Sequence, residues 1–137
     1  MRLLTTITIL FFVASSSIAQ TLSVNTDTLV WQVTGFYNSS TGNEASLASQ
    51  FTSQPDAILW SQNSGSQLDT FTINSQSGTW ADASQDGSVT FNVTWKTLSG
   101  TLQFQRVNGQ ASIVMSIMKD GANITPFQFS VSQVTKN

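Results

Sequence analysis

From Gly87 to Val131 apolar and polar residues take turns with almost no lapse, and only short turn signals interrupt them. Val89, Phe91, Val93 and Trp95 alternate with Thr90, Asn92, Thr94 and Lys96, which is how a strand reads when one face lies in a core and the other in water. Two further runs follow, Thr101 to Val107 and Gln110 to Met118, divided by Asn108-Gly109. Asn-Gly between such runs marks a two-residue hairpin, because a type I′ turn needs positive φ at both central residues.

The turn lengths also predict the register. A two-residue loop at Asn108-Gly109 pairs Val107 with Gln110, so Phe104 faces Ile113 and Leu102 faces Met115. If Thr97 to Gly100 is the preceding loop, Lys96 pairs with Thr101, Trp95 meets Leu102 and Val93 meets Phe104. Both turns gather one apolar row on one face, and a one-residue slip in either would turn that row into solvent. A three-residue loop Asp120-Gly121-Ala122 then aligns Phe127 with Met115, Phe129 with Ile113 and Val131 with Ala111. A two-residue turn at Asp120-Gly121 would leave the aromatic row wet. Backward along the chain, Asp82 paired with Gly87 and a tight turn at Ser75-Gln76 bring Trp80 and Phe71 onto the inner row. The opposite row, Thr90, Asn92, Thr94, Gln103, Gln105, Ser112, Ser116, Gln128 and Ser130, is expected to be exposed.

At the front, Met1-Arg2, the apolar run Leu3 to Val13 and Ser17-Ile18-Ala19 ahead of Gln20 read as a secretory signal peptide cleaved after Ala19. The apolar run is well short of the roughly 20 residues a bilayer span needs. Residues 20–137 are then one domain, secreted or periplasmic. Thr28 to Phe36 alternates like a first strand. Glu44 to Phe51 carries Ala45, Leu47, Ala48 and Phe51 at a spacing that fits a short helix. Pro55-Asp56 reads as a turn and Ala57 to Ser61 as a short strand.

Charge and chemistry are both sparse. Seven Asp and Glu stand against five Lys and Arg, which offers no basic patch for phosphates, so nucleic acid and anionic lipid surfaces are not the expected partners. There is no histidine and no cysteine, which removes the usual general base, the thiolate nucleophile and the ordinary ligands of zinc. No cofactor, no metal and no catalysis is therefore expected, and no disulfide supports the fold. Glu44 and Asp56 are the acids that glycoside hydrolysis would have to use, with solvated loop acids the plainer reading. Asp82, Asp86 and Asp120 lie in stretches too thin in oxygen ligands for calcium and read as turn chemistry.

Binding candidates are few. Trp31, Trp80 and Trp95 fall on inward rows, whereas Trp60 is followed by polar residues only and can serve as core or as a platform for a sugar ring. Tyr37, beside a Ser/Thr/Asn loop, is the second aromatic candidate. Asn92, Thr94, Gln103 and Gln105 offer hydrogen bonds on the polar row. Asn38, Asn92 and Asn123 each open a glycosylation sequon, which matters only in a host with that machinery.

Gly78-Thr79-Trp80 and Thr90 to Trp95 resemble short phrases of lipocalin-like and avidin-like barrels. A lipocalin's Gly-x-Trp element opens its barrel, whereas here it stands mid-chain, so the resemblance brings over no binding residue. The expected fold is all-β, a single antiparallel meander-rich β-barrel or β-sandwich of about 7–9 strands, with a short helix near 44–51. The expected function is an exported non-catalytic binding domain for a small apolar ligand or a glycan. A structural or adhesive extracellular protein is the alternative, and a hydrolase using loop carboxylates the third. Large inner rings favour the surface readings if they fill the middle.

Overall fold

The computed structural model describes residues 19–137; the leader read over 1–19 lies, apart from Ala19, outside them. Nine strands follow in order: β1 (Leu29–Asn38), β2 (Asn43–Ser53), β3 (Ala57–Gln62), β4 (Gln67–Ser77), β5 (Gly87–Trp95), β6 (Leu98–Val107), β7 (Gln110–Lys119), β8 (Ala122–Asn123) and β9 (Phe127–Lys136). Strands β1 to β7 pair antiparallel in chain order, β7 pairs β9 and β9 pairs β1, so eight strands form a closed barrel with β8 appended to β7. Closure removes most strand edges, which suits a chain with few charges to guard them.

The inner row is the alternating apolar set. Trp31, Phe51, Ile58, Phe71, Leu102, Phe104, Ile113, Ile117 and Phe129 are almost wholly buried. The polar atom of the buried Trp31 is satisfied, since its indole N–H donates to Ser53 Oγ at 2.9 Å. Outward positions are mostly Ser, Thr, Asn and Gln, the reverse of the apolar belt that a lipid-facing barrel carries. Among the described residues no helix is long and apolar enough to cross a membrane.

The Asn108-Gly109 turn is as expected, with φ of +50° and +76°, and it sets Phe104 against Ile113 and Leu102 against Met115. Three other expectations are corrected. The β5–β6 connection is the two-residue turn Lys96-Thr97, with Lys96 at φ +56°, so Trp95 meets Leu98, Phe91 meets Leu102 and Val89 meets Phe104. That displacement is an even number of residues, so the inner row stays inside. Asp120-Gly121 is a two-residue turn after all, yet Phe127 still faces Met115 and Phe129 still faces Ile113. Ile124 to Pro126 absorb the difference: Met118 pairs Asn123 and Met115 pairs Phe127, so three steps on β7 match four on the returning chain. The Ile117 N–H is kept satisfied there by Thr125 Oγ1 at 2.9 Å. Finally, Ser75-Gln76 is no turn. β4 runs on to Ser77, and Trp80 reaches the core from a loop spanning residues 78–86.

That loop and the first described residues close one end of the barrel. Val24 N–H donates to Trp80 O at 3.0 Å, Ala83 N–H to Leu22 O at 2.8 Å, and Trp80 N–H to Asn25 Oδ1 at 2.8 Å. The Trp80 ring then lies 5.8 Å from the Trp31 ring. The short helix expected near 44–51 does not form. That segment is β2, because Leu47, Ser49, Phe51 and Ser53 point inward in alternation, and tertiary burial of Phe51 outweighs any local preference.

Candidate functional site

The middle of the barrel is occupied by aromatic rings. Phe104 lies 4.8 Å from Trp31, 5.6 Å from Phe91 and 6.3 Å from Phe51, while Phe51 lies 5.1 Å from Phe129. Edge-to-face contacts at these separations are ordinary core packing. The notable indentations are on the outside of the wall.

Two of them adjoin along β1 and β2. One, of about 390 Å³, runs beside Gln32, Val33, Ala48, Ser49, Gln50 and Ser61. The other, of about 360 Å³, runs beside Thr34, Gly35, Tyr37, Glu44, Ser46 and Ser130. Their cause is a break in the ladder. Val33 pairs Ser49 but Gly35 pairs Ser46, so β2 carries one extra residue there, and the β1–β9 ladder slips at the same place. A bulge bends its strand and loosens the wall, which is why even the inward residues Val33 and Ser49 border the groove. Gly35 permits this: a Cβ there would stand 2.9 Å from the Ala45 carbonyl oxygen.

The lining is hydroxyl and amide. Gln32 Nε2 donates to Gln50 Oε1 at 3.0 Å, forming a cross-strand amide pair. Tyr37 and Glu44 are cross-strand partners, placed outward because the intervening Phe36 packs against the core. Tyr37 is 39% exposed. The groove therefore brings together an aromatic face, a carboxylate, two amides and several hydroxyls.

Of the six binding candidates Tyr37 alone borders this groove, and Glu44, one of the two candidate acids, borders it too. Trp60 points inward, stacked 5.4 Å from Phe51 with its N–H donated to Ser49 Oγ at 3.1 Å, so it serves the core. Asn92, Thr94, Gln103 and Gln105 do gather on one outer face of β5 and β6, on the far side of the barrel from Tyr37. There they bond to neighbours: Asn92 Nδ2 donates to Ser75 Oγ at 2.8 Å, Thr94 Oγ1 accepts from Asn74 Nδ2 at 2.8 Å, and Gln105 Nε2 donates to Ser112 Oγ at 3.1 Å. The polar row points out as expected but is not uniformly wet. Asn92, Gln128 and Ser130 are exposed, Gln103 and Gln105 half-buried, and Ser112 buried. Gln32, Gln50 and Ser46 were missed, and the period-2 order of Leu47, Ser49, Phe51 and Ser53 was the signal that could have found them.

The acids are placed apart. Glu44 is the second residue of β2 and Asp56 lies in the turn beyond its other end, about 30 Å apart at roughly 3.3 Å per residue, whereas glycosidase carboxylates stand about 5–9.5 Å apart. Asp86 receives the N–H groups of Asn108 and Gly109, each at 3.0 Å, and Asp82 Oδ1 receives Ser84 N–H at 3.0 Å and Ser84 O–H at 2.7 Å. Those Ser84 donors hold the Asp82 carboxyl below its ordinary pKa. Among the described residues no three potential metal ligands converge. No protein-family model, curated protein or solved structure matches this chain.

Proposed function

We propose that this protein is an exported, non-catalytic recognition domain that binds glycans on the outside of a filled barrel. The observation that carries the reading is the meeting of Trp31, Phe51, Phe91, Phe104 and Phe129 in the middle, which leaves the wall as the surface on which to bind. Export rests on the leader read over residues 1–19, and the secreted chain should begin at Gln20, checked by its intact mass. The wall supports a glycan over a charged partner, because it presents uncharged donors and acceptors while the charged side chains sit in loops or within three residues of a strand end. Screening the secreted protein against a glycan array and against a fluorescent apolar probe tests this. Glycan binding without probe uptake is expected, and saturable uptake of the probe with no glycan bound would reverse it.

One observation favours the adhesive reading as a second choice. β3 pairs β2 only from Ser49 to Ser53, so among the described residues Asn43–Ala48 has β1 on one side and no strand on the other. An unguarded edge of that kind invites strand addition. The chain has no cysteine, so a Ser46→Cys variant that forms a disulfide-linked dimer at low concentration would support self-association through this edge, and a persistently monomeric variant would oppose it.

A further inference from the structure

We infer that the two adjoining grooves beside the β1–β2 bulge form one oligosaccharide subsite selective for neutral or amino sugars, an inference that rests on the glycan reading above. The argument begins with shape. From Gln32 to Tyr37 the groove follows six residues of β1, five steps and about 17 Å at roughly 3.3 Å per step, which is several times the width of a single pyranose ring. The ligand that fits is an extended chain of sugars lying along the strand.

The chemistry is divided along that length. At one end the exposed ring of Tyr37 provides a flat apolar face for the C–H side of a pyranose, and a rigid aromatic of this kind is the usual energetic anchor of a polar interface. Beside it, across the ladder, the Glu44 carboxylate accepts hydroxyl or ammonium protons. Towards the other end the Gln32–Gln50 amide pair presents both donors and acceptors at a fixed separation, since each amide orients the other. The hydroxyls of Ser46 and Ser130 lie between.

Selectivity follows from charge. Glu44 is the charged residue of the lining, and among the described residues no Lys or Arg borders either groove. A uronic or sialic acid would bring its carboxylate to that carboxylate without a cation to offset it, whereas a neutral or amino sugar meets no such repulsion. Gly35 then acts as a positioning residue, since it lets β1 approach Ala45 closely and leaves the floor of the groove bare.

The test compares two sides of the barrel. The secreted protein is screened on a glycan array of neutral, amino and anionic oligosaccharides, and the strongest glycan is titrated against Tyr37→Ala, Glu44→Gln, and a far-wall control, Asn92→Ala with Gln103→Ala. Expected are a loss of about tenfold or more for Tyr37→Ala, a smaller loss for Glu44→Gln with gained tolerance of anionic sugars, and unchanged affinity in the control. If the wild type binds a glycan that the control loses and Tyr37→Ala keeps, this subsite is wrong while the glycan reading stands. A wild type that prefers anionic glycans overturns the selectivity. If the wild type binds no glycan, both fall. Retained melting temperature in each variant separates lost contact from lost fold.

Discussion

Strands β5 to β7 and strands β1, β2 and β9 expose the same kinds of side chain, yet the two larger grooves lie on the second group, and the first is indented only where a smaller groove of about 120 Å³ reaches Val114 and Ser116 of β7 beside Phe127 and Gln128 of β9. In β5–β6 every residue from Gly87 to Trp95 has a partner in unbroken register, and β6–β7 is as regular from Ser99 to Val107. Outward amides and hydroxyls there, such as Gln105 with Ser112, spend their hydrogen bonds on each other. Around Val33 and Gly35 both ladders slip, and Ser, Gln and Tyr of no different chemistry come to border open volume. On this side the open volume goes with backbone irregularity more than with residue type; the β4–β5 ladder also slips, between Ile73 and Ser75, but there Asn92 Nδ2 donates to Ser75 Oγ at 2.8 Å.

The largest effect should come from the shared centre. Phe104 sits on the regular side but touches Trp31, Phe51 and Phe91, and it is fully buried. Phe104→Ala should cost about 3–5 kcal/mol in chemical denaturation, whereas Phe127→Ala, on the grooved side and half-buried, should cost less. Equal losses would mean that the grooved side is packed as tightly as the regular one.

Two glycines sharpen the contrast. A Cβ on Gly100 would overlap the Ser116 carbonyl oxygen and the Ile117 backbone, in a part of the wall with no room to yield, so Gly100→Ala should cost about 1–3 kcal/mol. At Gly35 the nearest atom is a carbonyl oxygen 2.9 Å from the added Cβ, beside a bulge that already departs from regular pairing. Gly35→Ala should therefore cost less stability than Gly100→Ala but more glycan affinity. The opposite ranking in either measurement would break the comparison.

The same division explains what was legible from residues alone. Regular strands announce themselves: Val89, Phe91 and Val93 alternate cleanly, Asn108-Gly109 specifies its own turn, and the register of Phe104 on Ile113 follows. Even the misplaced β5–β6 turn kept every ring inside, because only the parity of a shift decides the face. β2 was obscured because its inward row, Leu47, Ser49, Phe51 and Ser53, is half serine, so that Ala45, Leu47, Ala48 and Phe51 also fit a helical turn. A bulge has no residue signature beyond a glycine, and its cause lies in two neighbouring strands distant in sequence. Tyr37 was visible as an aromatic beside a polar loop; its partnership with Glu44 required the hairpin that the helix expectation had removed.

A smaller effect is expected at the closed end, where Asp86 ties the loop at residues 78–86 to the β6–β7 turn. Its two oxygens accept the N–H groups of Asn108 and Gly109 at 3.0 Å each. The site is exposed, so water takes over when the carboxylate is removed, and Asp86→Ala should lower stability by about 1 kcal/mol. A loss several times larger would show that this loop, and not the ladder, holds the regular side together.

The smallest effect concerns acid, and it distinguishes the two sides by mechanism. Asp27 is held below its ordinary pKa by the Lys136 ammonium at 3.0 Å and by the Ser23 N–H at 2.9 Å, tying the first described segment to the end of β9. Asp82, in the loop that leads into β5, is held down chiefly by the N–H and O–H of Ser84. A carboxyl whose folded pKa lies below its unfolded value, about 3.9, contributes its full stabilisation above that value and loses it as pH falls through the folded pKa. The melting temperature should thus be level from neutrality down to about pH 5 and decline below, with the decline reduced in Asp27→Asn and in Asp82→Asn. Salt separates the two. The partly exposed Asp27–Lys136 pair is screened by added electrolyte, whereas neutral donors on Asp82 are affected far less. High salt should therefore shrink the difference between wild type and Asp27→Asn while leaving that between wild type and Asp82→Asn; equal shrinkage would show that long-range charge, and not the Ser84 hydrogen bonds, holds Asp82 ionised.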